Sequence, residues 1–144
     1  MKPFVLDCSV AAAWCFADEK NAYVDAVLEG FSEGCEALVP PIWVLEVVNV
    51  LALAERQKRI LTAETAHFFE LYSSLPIFLD QALTTVGEYR DLLPLCRAQK
   101  LTAYDAAYLQ TAIRHGIPLA TQDEPLRAAC RRCGVTVFAA GSRA

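Results

Sequence analysis

The sequence predicts an α/β fold, a three-layer α/β/α sandwich around a central parallel sheet. Two observations lead there. Short apolar runs of strand length alternate with longer stretches of helical periodicity, which is how chained β–α–β units read. The 144 residues hold no repeat, low-complexity tract or linker, so one domain spanning residues 1–144 is expected, long enough to bury its own core.

Phe4-Val5-Leu6 is the first strand, stopped by Asp7, and Ser9 is placed to cap a short helix through Phe16. A helix is expected from Asn21 to Ser32, then a second strand, Ala37-Leu38-Val39, halted by Pro40-Pro41. A long helix follows from about Trp43 to Lys58, and Thr62 caps another to about Ser73. Ile77-Phe78-Leu79 is the third strand. Helical patterns cover about Thr84 to Ala98 and Thr102 to His115, and Pro118-Leu119-Ala120 is the fourth strand. Asp123 or Thr121 caps a helix to about Cys133, and Thr136-Val137-Phe138 closes as a final strand.

Composition removes several function classes. A chain that is 55% hydrophobic is not disordered. No stretch approaches the roughly 18 uncharged apolar residues of a membrane span. Met1-Lys2-Pro3-Phe4-Val5-Leu6-Asp7 turns acidic too soon for a secretory signal, so a cytoplasmic protein is expected. With 17 acids against 13 bases, a net charge of −4 and a pI near 5.1, the chain is not one that coats nucleic acid without specificity. Cutting nucleic acid at a metal site remains compatible with that balance.

The six cysteines are expected to be reduced thiols. Cys130 and Cys133 have redox spacing but close a helix before Gly134, whereas a reactive pair opens one, where the dipole lowers the thiol pKa. His67 and His115 are the only histidines, and neither lies near a cysteine pair, which argues against zinc. None of the six glycines forms a dinucleotide or P-loop signature.

Four acids stand out. Open α/β sheets build their sites beyond the carboxyl ends of the strands. Asp7 follows the first strand and Asp123 the fourth. Both also suit helix-opening turns, Asp123 with Pro125 behind it. On a helical wheel Leu101, Tyr108, Leu109 and Ala112 fall within about 60° of Asp105, which sets a carboxylate inside the apolar stripe. Thr102 and Asp105 also have capping-box spacing. Glu46 interrupts Trp43 to Ala54, where ten of twelve residues are apolar and a mostly buried helix is expected. Glu46 also shares one helical side with Asn49, Leu53, Arg56 and Gln57, as a solvated stripe would. Carboxylates gathered in one pocket repel unless a divalent cation neutralises them, and oxygen-only ligands suit Mg²⁺ or Mn²⁺.

Together these segments resemble a known family. Val5-Leu6-Asp7-Cys8-Ser9-Val10, with Trp14 and Phe16-Ala17-Asp18-Glu19, is similar to the opening of PIN-domain ribonucleases, VapC-type toxins in particular. Pro40-Pro41-Ile42-Trp43-Val44-Leu45-Glu46-Val47-Val48-Asn49-Val50-Leu51 resembles their second motif. Leu101-Thr102-Ala103-Tyr104-Asp105-Ala106-Ala107-Tyr108-Leu109 resembles the third and is the most specific. Leu119-Ala120-Thr121-Gln122-Asp123-Glu124-Pro125-Leu126 resembles the fourth.

The resemblance implies the three-layer fold and an acidic metal site of Asp7, Glu46, Asp105 and Asp123. Ser9 and Thr121 match polar residues beside the first and fourth acids, and Asn49 a position often polar. It implies Mg²⁺- or Mn²⁺-assisted hydrolysis of an RNA phosphodiester, a small antitoxin partner and a homodimer. Arg97, Lys100, Arg127, Arg131 and Arg132 are candidates to meet RNA phosphates, or ordinary solvated surface. Leu53, Ile60 and Phe68, in the stretch from Val47 through Phe69, are candidates for a partner groove, or intrachain core. The rival readings are a catalytically silent interaction domain and a receiver-like regulatory domain with Asp80 as phospho-acceptor.

Overall fold

The first strand forms at the predicted run, with Phe4, Val5 and Leu6 fully buried in β1 (Lys2–Leu6). The computed structural model describes residues 2–139. β1 pairs in parallel with β2 (Cys35–Val39) on one side and β4 (Leu119–Ala120) on the other, and β2 pairs in parallel with β3 (Ile77–Leu79). The order is β3-β2-β1-β4, so β1 lies inside the sheet and all four carboxyl ends share one edge.

Seven α-helices connect the strands among the described residues: α1 (Cys8–Ala13), α2 (Ala22–Gly30), α3 (Ile42–Arg56), α4 (Thr62–Ser74), α5 (Leu92–Gln99), α6 (Ala103–His115) and α7 (Glu124–Arg132). The chain steps outward from β1 to β3 through α1–α4, then returns across the sheet through α5 and α6. Right-handed crossovers put these two sets on opposite faces. The packing agrees: α1 meets α2 and α3, while α6 meets α5, α7 and β1. The core is aromatic near β1, with Phe4 stacked on Phe138 at 4.2 Å. Trp14 Nε1 donates to Val24 O at 2.8 Å, and the Tyr72 hydroxyl donates to Ala11 O at 2.9 Å.

Several expectations need correction. Ser9 does not cap α1. Asp7 stands at the N-cap, and the Ser9 hydroxyl donates back to Asp7 Oδ2 at 2.8 Å. The helix expected from Thr84 is α-helical only from Leu92, after a 3₁₀ segment, Val86–Asp91. Pro94 fixes that start, because proline fits the first turn of an α-helix but not its interior. Thr136-Val137-Phe138 reduces to a single parallel bridge, Leu119 to Val137, because β4 is only two residues long and offers little ladder. The α3 helix is not mostly buried: Val44, Leu45, Val48 and Leu53 are all exposed, Leu45 by 64%. Ile60 is buried core, not partner groove. Burial on α6 extends beyond the stripe that holds Asp105 to Thr111, because α6 is covered by α5 and α7 as well as by the sheet.

Candidate active site

Two loops build the first half of the site. The parallel pairing of β1 with β4 sets Asp7 and Asp123 beyond adjacent strand ends, and the Asp7 amide donates to Ala120 O at 2.9 Å. Asp7 is only 5% exposed. Its Oδ2 accepts from the Ser9 hydroxyl at 2.8 Å and from the fully buried Thr121 hydroxyl at 2.6 Å. Thr121 Oγ1 in turn accepts from the Asp123 amide at 3.0 Å, and Asp123 Oδ2 caps α7 by accepting from Leu126 N at 3.0 Å.

Gln122 and Arg127 fix this lattice, and neither role was visible in the sequence. Gln122 Nε2 donates to Ser9 O at 3.1 Å, while its Oε1 accepts from Asn21 Nδ2 at 2.7 Å. Arg127 Nε donates to Thr121 O at 2.7 Å, and its guanidinium lies over the Tyr23 ring at 4.6 Å.

Helices bring the other half. Asp105 is the third residue of α6, with its amide held by the Thr102 N-cap hydroxyl at 3.2 Å. Glu46, in the second turn of α3, is partly exposed, and its Oε1 accepts from the Tyr108 hydroxyl at 2.6 Å. Asn49 lies on the exposed side of α3 and makes no side-chain hydrogen bond among the described residues.

The acids sense one another. Burial raises the Asp7 pKa, against the donors Thr121 and Ser9, and the charge of Asp123 raises it further. Burial raises Glu46, and the charges of Asp7 and Asp105 add to the shift. Burial also raises Asp105, with Asp7 and Asp123 adding. Among the described residues, however, no three His, Cys, Asp or Glu side chains converge as the ligands of one ion would. The four acids share a field without forming a closed coordination shell.

The other candidates divide. Arg97 and Lys100 are exposed. Arg127 is engaged with Thr121, Arg131 faces Glu124 at 3.4 Å, and Arg132 Nε donates to Gln99 Oε1 at 2.7 Å. Asp80 is buried and ion-paired with Arg114, so it is no open phospho-acceptor. Burial pushes the Cys130 thiol up to about 11, the opposite of a redox-active thiolate.

Thr121→Val keeps the side-chain shape but strips one donor from a buried carboxylate and leaves the Asp123 amide without its acceptor. A loss of about 2–3 kcal/mol of stability is expected, read as a lower urea midpoint. An unchanged midpoint would mean that water replaces both bonds.

A parallel α/β sheet with acidic side chains beyond its carboxyl edge places a candidate site where open α/β folds bind their ligands. The sequence model of the PIN domain matches residues 4–132, and the chain belongs to the PIN domain family, whose members are generally nucleases. The fold is similar to the crystal structure of PAE2754 from Pyrobaculum aerophilum, with a TM-score of 0.65 and 24% sequence identity over 89% of this chain and 79% of that one. At that identity the likeness is one of fold. Curated protein sequences contain no match.

Proposed function

We propose that this PIN-domain chain, residues 1–144 acting as one unit, is a Mg²⁺- or Mn²⁺-dependent endoribonuclease, the toxin of a cytoplasmic toxin–antitoxin pair. The observation that carries the reading is the placement of the acids: Thr121 bridges Asp7 and Asp123 beyond adjacent strand ends, and Tyr108 ties Glu46 to α6, the helix that carries Asp105. The donor set fits a hard divalent cation, because it is all oxygen with no imidazole or thiolate.

Asp7, Glu46, Asp105 and Asp123 would hold the ion, which when bound supplies an activated water and neutralises phosphate charge. Ser9 and Thr121 orient Asp7 by donating to the same oxygen, Oδ2, which fixes the plane of the carboxylate. Asn49, one turn beyond Glu46 and solvent-facing, is available to the RNA. Arg97 and Lys100 are the exposed cations best suited to meet phosphates.

A protein partner is supported by the apolar surface left bare on α3, α4 and β3. Val44 and Phe69 are exposed there beside Ile77 and Leu79, and Trp43 Nε1, a buried donor without a partner among the described residues, borders the same groove. Such a patch suits an antitoxin segment or the second subunit of a homodimer. No helix of the described residues is long and apolar enough to cross a membrane.

The test is cleavage of a structured RNA by partner-free protein. Products are expected with Mn²⁺ and not with EDTA, and Asp105→Asn should lower the rate by at least about 10²-fold. Cleavage that persists in EDTA, or that Asp105→Asn leaves intact, overturns the proposal. No cleavage of any RNA with metal present would favour a catalytically silent interaction domain.

A further inference from the structure

α3 and α6 lie on opposite faces of the sheet, yet one hydrogen bond joins their side chains over its carboxyl edge. The Tyr108 hydroxyl donates to Glu46 Oε1 at 2.6 Å, within the range of a short bond to a carboxylate. Tyr108 is completely buried, one helical turn beyond Asp105. Glu46 occupies the rim, with Leu45 64% exposed beside it and Asn49 exposed one turn on. No other hydrogen bond reaches the Glu46 carboxylate among the described residues. A buried phenol can satisfy itself on a nearby backbone carbonyl, as Tyr72 does on Ala11. Here it reaches across layers to an acid of the site.

We infer that Tyr108 is a positioning residue: its hydroxyl holds Oε1 of Glu46, so that the long glutamate side chain stays over the sheet edge and presents its other oxygen to a divalent cation. Without that anchor the side chain, rooted on a solvated stretch of helix, swings into water. One helix then supplies both an acid, Asp105, and the anchor of another. The inference rests on the metal-site reading above and adds a residue to it. Hydrogen-bond partners of this kind typically carry 10- to 100-fold of metal affinity.

The test is calorimetric titration of RNA-free protein with Mn²⁺, alongside kcat and KM for RNA. Tyr108→Phe, which keeps the ring, is expected to weaken Mn²⁺ binding by about tenfold or more and to lower kcat with KM nearly unchanged. Glu46→Asp, whose shorter chain draws away from the phenol, is expected to weaken binding similarly, and adding Tyr108→Phe to it should cost nothing further. Wild-type affinity in Tyr108→Phe, or an equal loss with and without Glu46→Asp, overturns the inference. Should Tyr108→Phe not fold, wild-type affinity in Glu46→Asp overturns it instead. If the wild type binds no Mn²⁺, the site reading itself fails and takes this inference with it, a result distinct from binding that ignores Tyr108.

Discussion

Asp7→Asn is expected to lower Mn²⁺-dependent RNA cleavage by about 10³-fold while raising the melting temperature of the metal-free protein. The two effects share one origin. Burial holds the Asp7 pKa above the usual carboxylate range despite the Ser9 and Thr121 hydroxyls. The folded state therefore binds the Asp7 proton more tightly than the unfolded state does. Metal-free stability falls as pH climbs from the unfolded pKa through the folded one, and it stays reduced at neutral pH. Asparagine removes the buried charge and still offers an oxygen to the two hydroxyls. Cleavage assays with Mn²⁺ check the first effect, and thermal melts at pH 7 check the second. Mn²⁺ at 100 times its Kd should stabilise the wild type by about 2.7 kcal/mol and leave Asp7→Asn unmoved. A lower melting temperature for Asp7→Asn would recast this carboxylate as a structural group.

Arg114→Met should be the most damaging change away from the acids. Asp80, 7% exposed at the end of β3, is held by Arg114 and by His115 Nε2 at 3.3 Å. Removing one partner of a buried pair leaves a charge with too little compensation. A loss of about 2–3 kcal/mol is expected at pH 7, less than for a fully buried pair because Arg114 touches solvent and His115 stays. Burial raises the Asp80 pKa, but Arg114, the Ala82 amide and His115 together bring it below the usual value. A depressed carboxylate stabilises the fold above its unfolded pKa, and that contribution is lost as pH falls through the folded pKa. The gap between wild type and Arg114→Met should accordingly narrow in acid, and Asp80→Asn combined with Arg114→Met should recover part of the loss. Urea melts at neutral and acid pH read both. A gap that widens in acid would contradict this account of the pair.

The strands and the strand-end acids could be read from the sequence because their signals are local. An apolar triplet followed by an acid puts that acid at the strand's carboxyl end whatever the rest of the chain does. Asp105 was legible for a similar reason, as a charge inside an apolar stripe. The exposed face of α3 was not, because an apolar run carries no mark of which side its own chain leaves uncovered. Nor was the role of Tyr108. On the wheel it is one more apolar-stripe residue, and its meaning comes from a partner 62 positions away. Gln122 and Arg127 were hidden in the same way, since their bonds bridge loops that only the sheet brings together. The short final pairing at Val137 escaped prediction because it depended on how little of β4 there is to pair with.

The bond from Thr121 to Asp7 spans 114 positions of chain. That separation governs the order of assembly. β2 and β3 can line up on β1 as soon as they leave the ribosome, but β1 stays a bare edge until β4 arrives. Only then does the Asp7 amide find Ala120 and its carboxylate find Thr121. Contacts this distant form late. A nascent chain therefore carries Asp7, Glu46 and Asp105 well before it carries a finished site. Whatever the acids do, they begin doing it only when synthesis has passed the loop at Thr121.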